Sequence, residues 1–217
     1  MRFLFASTAL TVILATGATA QDTNARIGLG LSTMGATLEG AYRFNDRFAL
    51  RGVVAGGINT NTLGGGTQTI DGVTYTTNGQ LGGFALLADY YTGSTGFRLS
   101  GGAFVSNTSF TGSTTASPTN PIEIGNTTLT GGETASATVE FRNRVSPMLT
   151  VGWDQNIGRN FTLSAEVGAI AMGGLNVDVT APAAPAADVA RERQNIVDEL
   201  SQFGVFPYVG LTAAFRF

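Results

Sequence analysis

Wherever this chain reads as a strand, one of its two faces is apolar from end to end. In "FPYVGLTAAFRF", residues 206–217, the row Pro207, Val209, Leu211, Ala213, Phe215 and Phe217 is greasy, and the intervening row is small, polar or aromatic. The same period of two runs through Ile27, Leu29 and Leu31, then Leu38, Tyr42 and Phe44, and then Phe48, Leu50 and Val54. It returns at Phe84, Leu86 and Tyr90, and at Phe97, Leu99 and Val105. One run from Val139 through Val145, Leu149 and Val151 to Trp153 carries it on, followed by Phe161, Leu163 and Val167. Such alternation marks strands with one buried or lipid-facing side. A soluble sandwich shows it too, so the connections and the second face must decide.

The connections take turns in length. Asn45-Asp46-Arg47, "TGSTG" and "DQNIGRN" are short polar turns. The opposite side has a possible tight turn at Met34-Gly35, then long stretches at 56–78, 106–137 and 173–204. Asp71-Gly72 in the first of these favours a small hairpin. About eight strands result. Short turns on one side and long connections on the other are the pattern of membrane barrels. If 26–44 is one strand instead of a hairpin, the count falls to seven and the pattern breaks.

The second face holds nearly all the charge found in strands: Arg26, Glu39, Arg43, Arg51, Asp89, Arg98, Glu140, Arg142, Arg144, Glu166 and Arg216. These eleven are expected to form a lumen charge network with an excess of arginine. A barrel of eight strands has an interior that side chains just fill. All 12 basic residues are arginine, whose planar fork pairs with buried carboxylates better than lysine does. Aromatics cluster near strand ends, at Tyr42, Phe44, Phe48, Tyr90, Tyr91, Trp153, Phe161, Phe215 and Phe217, as an interfacial girdle requires.

The chain opens "MRFLFASTALTVILATGATAQD", with Arg2, an apolar stretch and Ala18-Thr19-Ala20. This reads as a signal peptide over 1–20, cleaved after Ala20, leaving a mature domain over 21–217. Within 182–204, Val189, Ile196, Val197, Leu200 and Phe203 recur at helical spacing. That predicts a helix over about 187–203, with Asp188 as N-cap and Gly204 as C-cap. It serves either as a packed loop element or as a plug against lumen aromatics such as Phe104 and Phe206.

The leader, the alternating strands and the terminal "FRF" together resemble the small outer-membrane β-barrels of Gram-negative bacteria, the porin-like superfamily. The resemblance covers the whole mature chain. It implies a closed antiparallel barrel of about eight strands in the outer membrane, with membrane lipid and the barrel-assembly machinery as partners. The assembly signal it implies falls on Phe217, with Phe215 and Tyr208 upstream.

Composition narrows the function. The chain has no cysteine and no histidine, so the usual neutral-pH base, thiolate nucleophiles and the commonest metal ligands are missing. A non-enzymatic protein without catalytic residues, metal or cofactor is the expectation. The net charge of −3 argues against nucleic acid. A surface barrel with a largely filled lumen is expected. A narrow channel for small solutes and a secreted β-sandwich are the alternatives. Any solute or surface ligand is unspecified.

Overall fold

The computed structural model describes residues 24–60, 66–70, 73–93, 95–200 and 203–217. The expected leader, with its cleavage point at Ala20, lies outside the described residues, as do Asp71 and Gly72. The elements in chain order are β1 (Ala25–Ser32), β2 (Gly35–Arg43), β3 (Phe48–Asn59), β4 (Thr67–Ile70) and β5 (Val73–Tyr91). Then come β6 (Phe97–Ser106), β7 (Ser109–Thr115), β8 (Ile122–Ile124), β9 (Thr127–Leu129) and β10 (Thr134–Phe141). The chain closes with β11 (Val145–Ile157), β12 (Phe161–Ile170), β13 (Leu175–Thr180), α1 (Ala186–Leu200) and β14 (Phe206–Arg216).

Eight of these strands pair antiparallel in the order β1-β2-β3-β5-β6-β11-β12-β14, and β14 returns to β1 through Arg26↔Arg216 to Ser32↔Gly210. The sheet is thereby a closed barrel without edges, the form that satisfies every backbone group in lipid. The hairpin at 33–34 is real, with Gly35 at φ 109° completing the turn, so the strand count is eight. Along the walls burial alternates with period two: Phe97, Leu99 and Val105 face out while Arg98, Ser100 and Phe104 face in. About ten residues at roughly 3.3 Å each, tilted by about 40°, give an apolar band about 25 Å tall.

The long connections are themselves structured. β5 is one 19-residue strand: its second half is barrel wall, and its first half rises out to pair with β4 and β7. Beyond it β7 pairs with β10 and β10 with β13, making a small sheet over the loop end. The apparent single run 139–153 is therefore two strands. β10 belongs to this outer sheet and β11 to the barrel, with residues 142–144 between them. The β8–β9 hairpin and α1 pack beside β13 on a small core of Ala116, Ile124, Leu129, Ala135 and Ala181, joined by Ile122, Ala184 and Val189.

α1 differs in detail from its expected bounds. It begins at Ala186, so Asp188 is inside its first turn and not its cap. There the carboxylate offsets the positive end of the helix dipole and accepts a hydrogen bond from Thr127 Oγ1 at 2.6 Å. Gly204 caps nothing in a left-handed conformation; its carbonyl instead accepts from Gly173 N at 3.1 Å. Because α1 packs on β13 and β8, it is a packed loop element and not a plug.

Candidate functional site: a filled lumen

The inward rows of the barrel build two layers. In the layer nearer the short turns, seven of the eight wall strands each contribute one buried charge: Arg26, Glu39, Arg51, Asp89, Arg98, Asp154 and Glu166. Six of them, all but Asp89, form a ring of alternating sign. Arg26 Nη1 donates to Asp154 Oδ2 at 2.5 Å, and Asp154 also receives Arg98. Arg98 Nη2 reaches Glu166 Oε2 at 3.1 Å, and Arg51 Nη2 reaches Glu166 Oε1 at 2.7 Å. Arg51 Nη1 lies 3.2 Å from Glu39 Oε2, and Arg26 Nη2 lies 3.0 Å from Glu39 Oε1, which closes the ring. Asp89 is held outside it by Arg51 Nε at 2.9 Å.

Hydroxyls add further hydrogen bonds to Asp154 and Glu166. Tyr91 Oη and Ser164 Oγ each donate to Asp154 at 2.8 Å. Thr150 Oγ1 donates to Glu166, and Arg51 Nη2 donates to Ser100 Oγ at 3.2 Å. Burying ions is costly unless geometry and hydrogen bonds compensate, and here each guanidinium bridges at least two carboxylates. β14, the one wall strand without a buried charge in this layer, supplies Gly210 and the ring of Tyr208. Gly152 leaves the room in which Arg98 lies: a Cβ there would stand 3.0 Å from Arg98 Nε.

The layer nearer the loops is apolar. Met34, from the tight turn, points inward and packs with Val53, Leu87, Phe104, Met148, Ile170 and Tyr208. Phe141, Met172 and the partly buried Leu175 and Phe206 roof it, with the Phe141 and Phe206 rings 5.8 Å apart. Leu87, Ile170 and Met34 have no exposed surface, and neither do Asp89 and Arg98 below them.

Six of the eleven sequence-predicted network residues meet here: Arg26, Glu39, Arg51, Asp89, Arg98 and Glu166. The other five do not. Arg43 stands over the Tyr91 ring at 3.8 Å. Arg216 donates to the Arg159 carbonyl at 2.8 Å, at the turn end. Glu140, Arg142 and Arg144 are exposed at the loop end, because β10 leaves the barrel and takes its inner-looking parity with it. Asp154 is absent from the sequence-predicted network, in which the strand ends at Trp153. Continuing the alternation of Ser146, Met148, Thr150 and Gly152 by one step places it inside. The ring and Asp89 thus hold three arginines and four carboxylates, and the expected arginine excess is reversed.

The outward row is exposed throughout, with Leu29, Leu31, Leu149 and Leu211 more than 60% accessible. Its aromatics gather at the turn end, where Tyr42–Phe44, Phe48–Tyr90 and Phe161–Phe215 rings sit 5.3 Å apart and Phe215–Phe217 rings 5.4 Å. Of the terminal aromatics, Phe215 and Phe217 face outward, but Tyr208 has the opposite parity and is buried in the lumen. Tyr91 likewise faces in.

An edgeless barrel of eight antiparallel strands, greasy outside and carrying an ion ring and an apolar layer inside, has the fold of an outer-membrane-type β-barrel. Two crystal structures are among those it resembles. Acinetobacter baumannii CarO matches with a TM-score of 0.57 at 18% identity, over 90% of this chain and 98% of that one. Acinetobacter baumannii CarO2 matches with a TM-score of 0.59 at 14% identity, over 91% of this chain and all of that one. At such identities the likeness is one of fold. No family model and no curated relative matches the chain.

Proposed function

We propose that this protein is a non-enzymatic surface barrel of the outer membrane, which holds its structured loop module outside the cell and conducts no solute. The observation that carries the reading is the sealed lumen, an alternating ion ring beneath a dry apolar layer. The exposed apolar belt supports a lipid surrounding, since a water-soluble protein would not leave so many large side chains uncovered on one continuous surface. The short-turn end then faces the periplasm and the β4–β13 module the exterior. Residues 1–20 direct export and are removed after Ala20, and the outward pair Phe215 and Phe217 is what the barrel-assembly machinery reads. The lumen holds neither histidine nor cysteine, which agrees with a structural role for its carboxylates.

Planar-bilayer recording of the purified, refolded protein tests the proposal. The expected result is a silent membrane with protein demonstrably inserted. Resolved unitary steps would turn the assignment to the narrow solute channel.

A further inference from the structure

We infer that the outer rim of the barrel carries a binding site for the phosphorylated headgroup of an outer-leaflet lipid, formed by Arg142 and Arg144 above Phe203 and Val205. The inference rests on the membrane reading given under Proposed function and adds a specific ligand to it.

Residues 142–144 link the outer sheet to the barrel and are pinned at the rim. Arg142 N donates to the Gly174 carbonyl at 3.0 Å and Asn143 N to the Met172 carbonyl at 3.0 Å, while the Arg144 carbonyl accepts from Ser106 N at 2.8 Å. The strap opposite turns through Gly173 and Gly174, at φ 70° and 99°. A side chain at Gly173 would strike Asn143, and the Arg142 guanidinium carbon lies 3.5 Å from where a Gly174 Cβ would be. Gly173 is in turn bonded to Gly204. Arg142 and the segment 203–205 therefore flank one strap.

Both arginines are exposed. Arg142 spends one donor on the Leu175 carbonyl at 3.5 Å, and neither guanidinium has a carboxylate partner among the described residues, although Glu140 is exposed nearby. Of the other described arginines, three are in the ring, Arg43 covers Tyr91, Arg191 pairs with Asp188 at 3.4 Å, Arg193 is exposed on α1, and Arg47, Arg159 and Arg216 lie at the turn end. Immediately below the rim pair the surface is lipid-type. Val145, which follows Arg144, is 61% exposed. The outward row of β14 continues past the strand through Val205, 56% exposed, to Phe203, 47% exposed.

Cations directly above an apolar wall fit an amphiphile whose phosphates sit at the level of the rim and whose acyl chains run down the wall. Guanidinium forks pair with phosphate in two-pronged fashion. The ligand class is a phosphorylated glycolipid of the lipid A type.

The test measures retention of lipid A by the intact barrel reconstituted in phosphatidylcholine vesicles, comparing bis-phosphorylated with dephosphorylated lipid A. The expected result is selective retention of the phosphorylated form, weakened at least about tenfold, or roughly 1.4 kcal/mol, in an R142Q/R144Q double variant. R47Q, at the opposite end, should bind as the parent does. Equal retention of both lipids, or unchanged binding by the double variant, would overturn the site. Inorganic phosphate binding as strongly as the lipid would overturn the lipid assignment. A chain that stays in the aqueous phase would overturn the membrane reading as well, whereas an inserted barrel indifferent to phosphate overturns this inference alone.

Discussion

Asp154 is the residue on which the ion ring turns, because it accepts from Arg26, Arg98, Tyr91 and Ser164 together. Removing it leaves two buried guanidinium groups short of a partner, and breaking a buried pair in this way costs about 3–5 kcal/mol. Asp154→Ala is therefore expected to lower the temperature at which the folded band on a detergent gel gives way to the unfolded one. Gly152→Ala acts on the same group by crowding: the added methyl presses on Arg98, and the expected loss is about 1–3 kcal/mol in urea unfolding from lipid. A smaller loss for Gly152→Ala than for Asp154→Ala would agree with the geometry; the reverse order would not. Both residues show why the site was only partly legible. Parity alone puts Arg51, Asp89, Arg98 and Glu166 inside, and parity would have found Asp154 had the polar run "DQN" not resembled a turn. Pairing within the ring is set by side chains from strands as distant as Arg51 and Glu166, which no local pattern encodes.

At the scale of elements, the barrel strands were readable because each carries a greasy row, whereas the outer sheet was not. β7, "SFTGSTT", has no apolar face, and its strand character comes from threonines that favour extended backbone. Thr111 and Thr138 face one another at 2.9 Å across β7 and β10. β13 did carry a signal in Leu175, Val177 and Val179, hidden inside a stretch read as connection. The weak point of this module is the docking of α1 on β8 and β9. Asp188 receives the Thr127 hydroxyl, the Asn126 amide and, at the side, Arg191, and these hold its carboxyl below the usual range. A lowered carboxyl favours the docked state above the ordinary carboxylate range of about 3.9 and loses that contribution as pH falls below it. Glu192, which accepts from Gly125 N at 3.3 Å, is the other acid at this contact. Limited proteolysis of α1 is therefore expected to speed up when the pH drops from neutral to about 3, and Thr127→Val should abolish most of that dependence. Flat cleavage rates across this range would sink the idea. Replacing 186–200 by a Gly-Ser linker should leave the barrel's gel shift intact, since α1 makes no part of the lumen.

For the molecule as a whole, the two layers divide the work. The ion ring, with Asp89 attached through Arg51, links seven of the eight wall strands to one another, and the apolar layer lies at the end nearer the loops. Each wall strand is thus held by its neighbours and also by strands on the far side. Native-state hydrogen exchange should show barrel amides of β3, β6 and β12 opening only with global unfolding, while β4, β8 and β9 exchange through local opening. Independent early exchange of β12 would argue against the ring as a unit.

Closure through β14 also decides whether the wall has edges. β14 sits between β12, its near neighbour in the chain, and β1, which pairs with it at Arg26↔Arg216 across nearly the whole sequence. Without that pairing β1 would have one side unpaired, and the wall that carries Arg26 beside Glu39 and Asp154 would stand open. The seam is therefore a clasp: without the β1–β14 pairing the wall would be an open sheet with two exposed edges, and with it the wall is a cylinder with none.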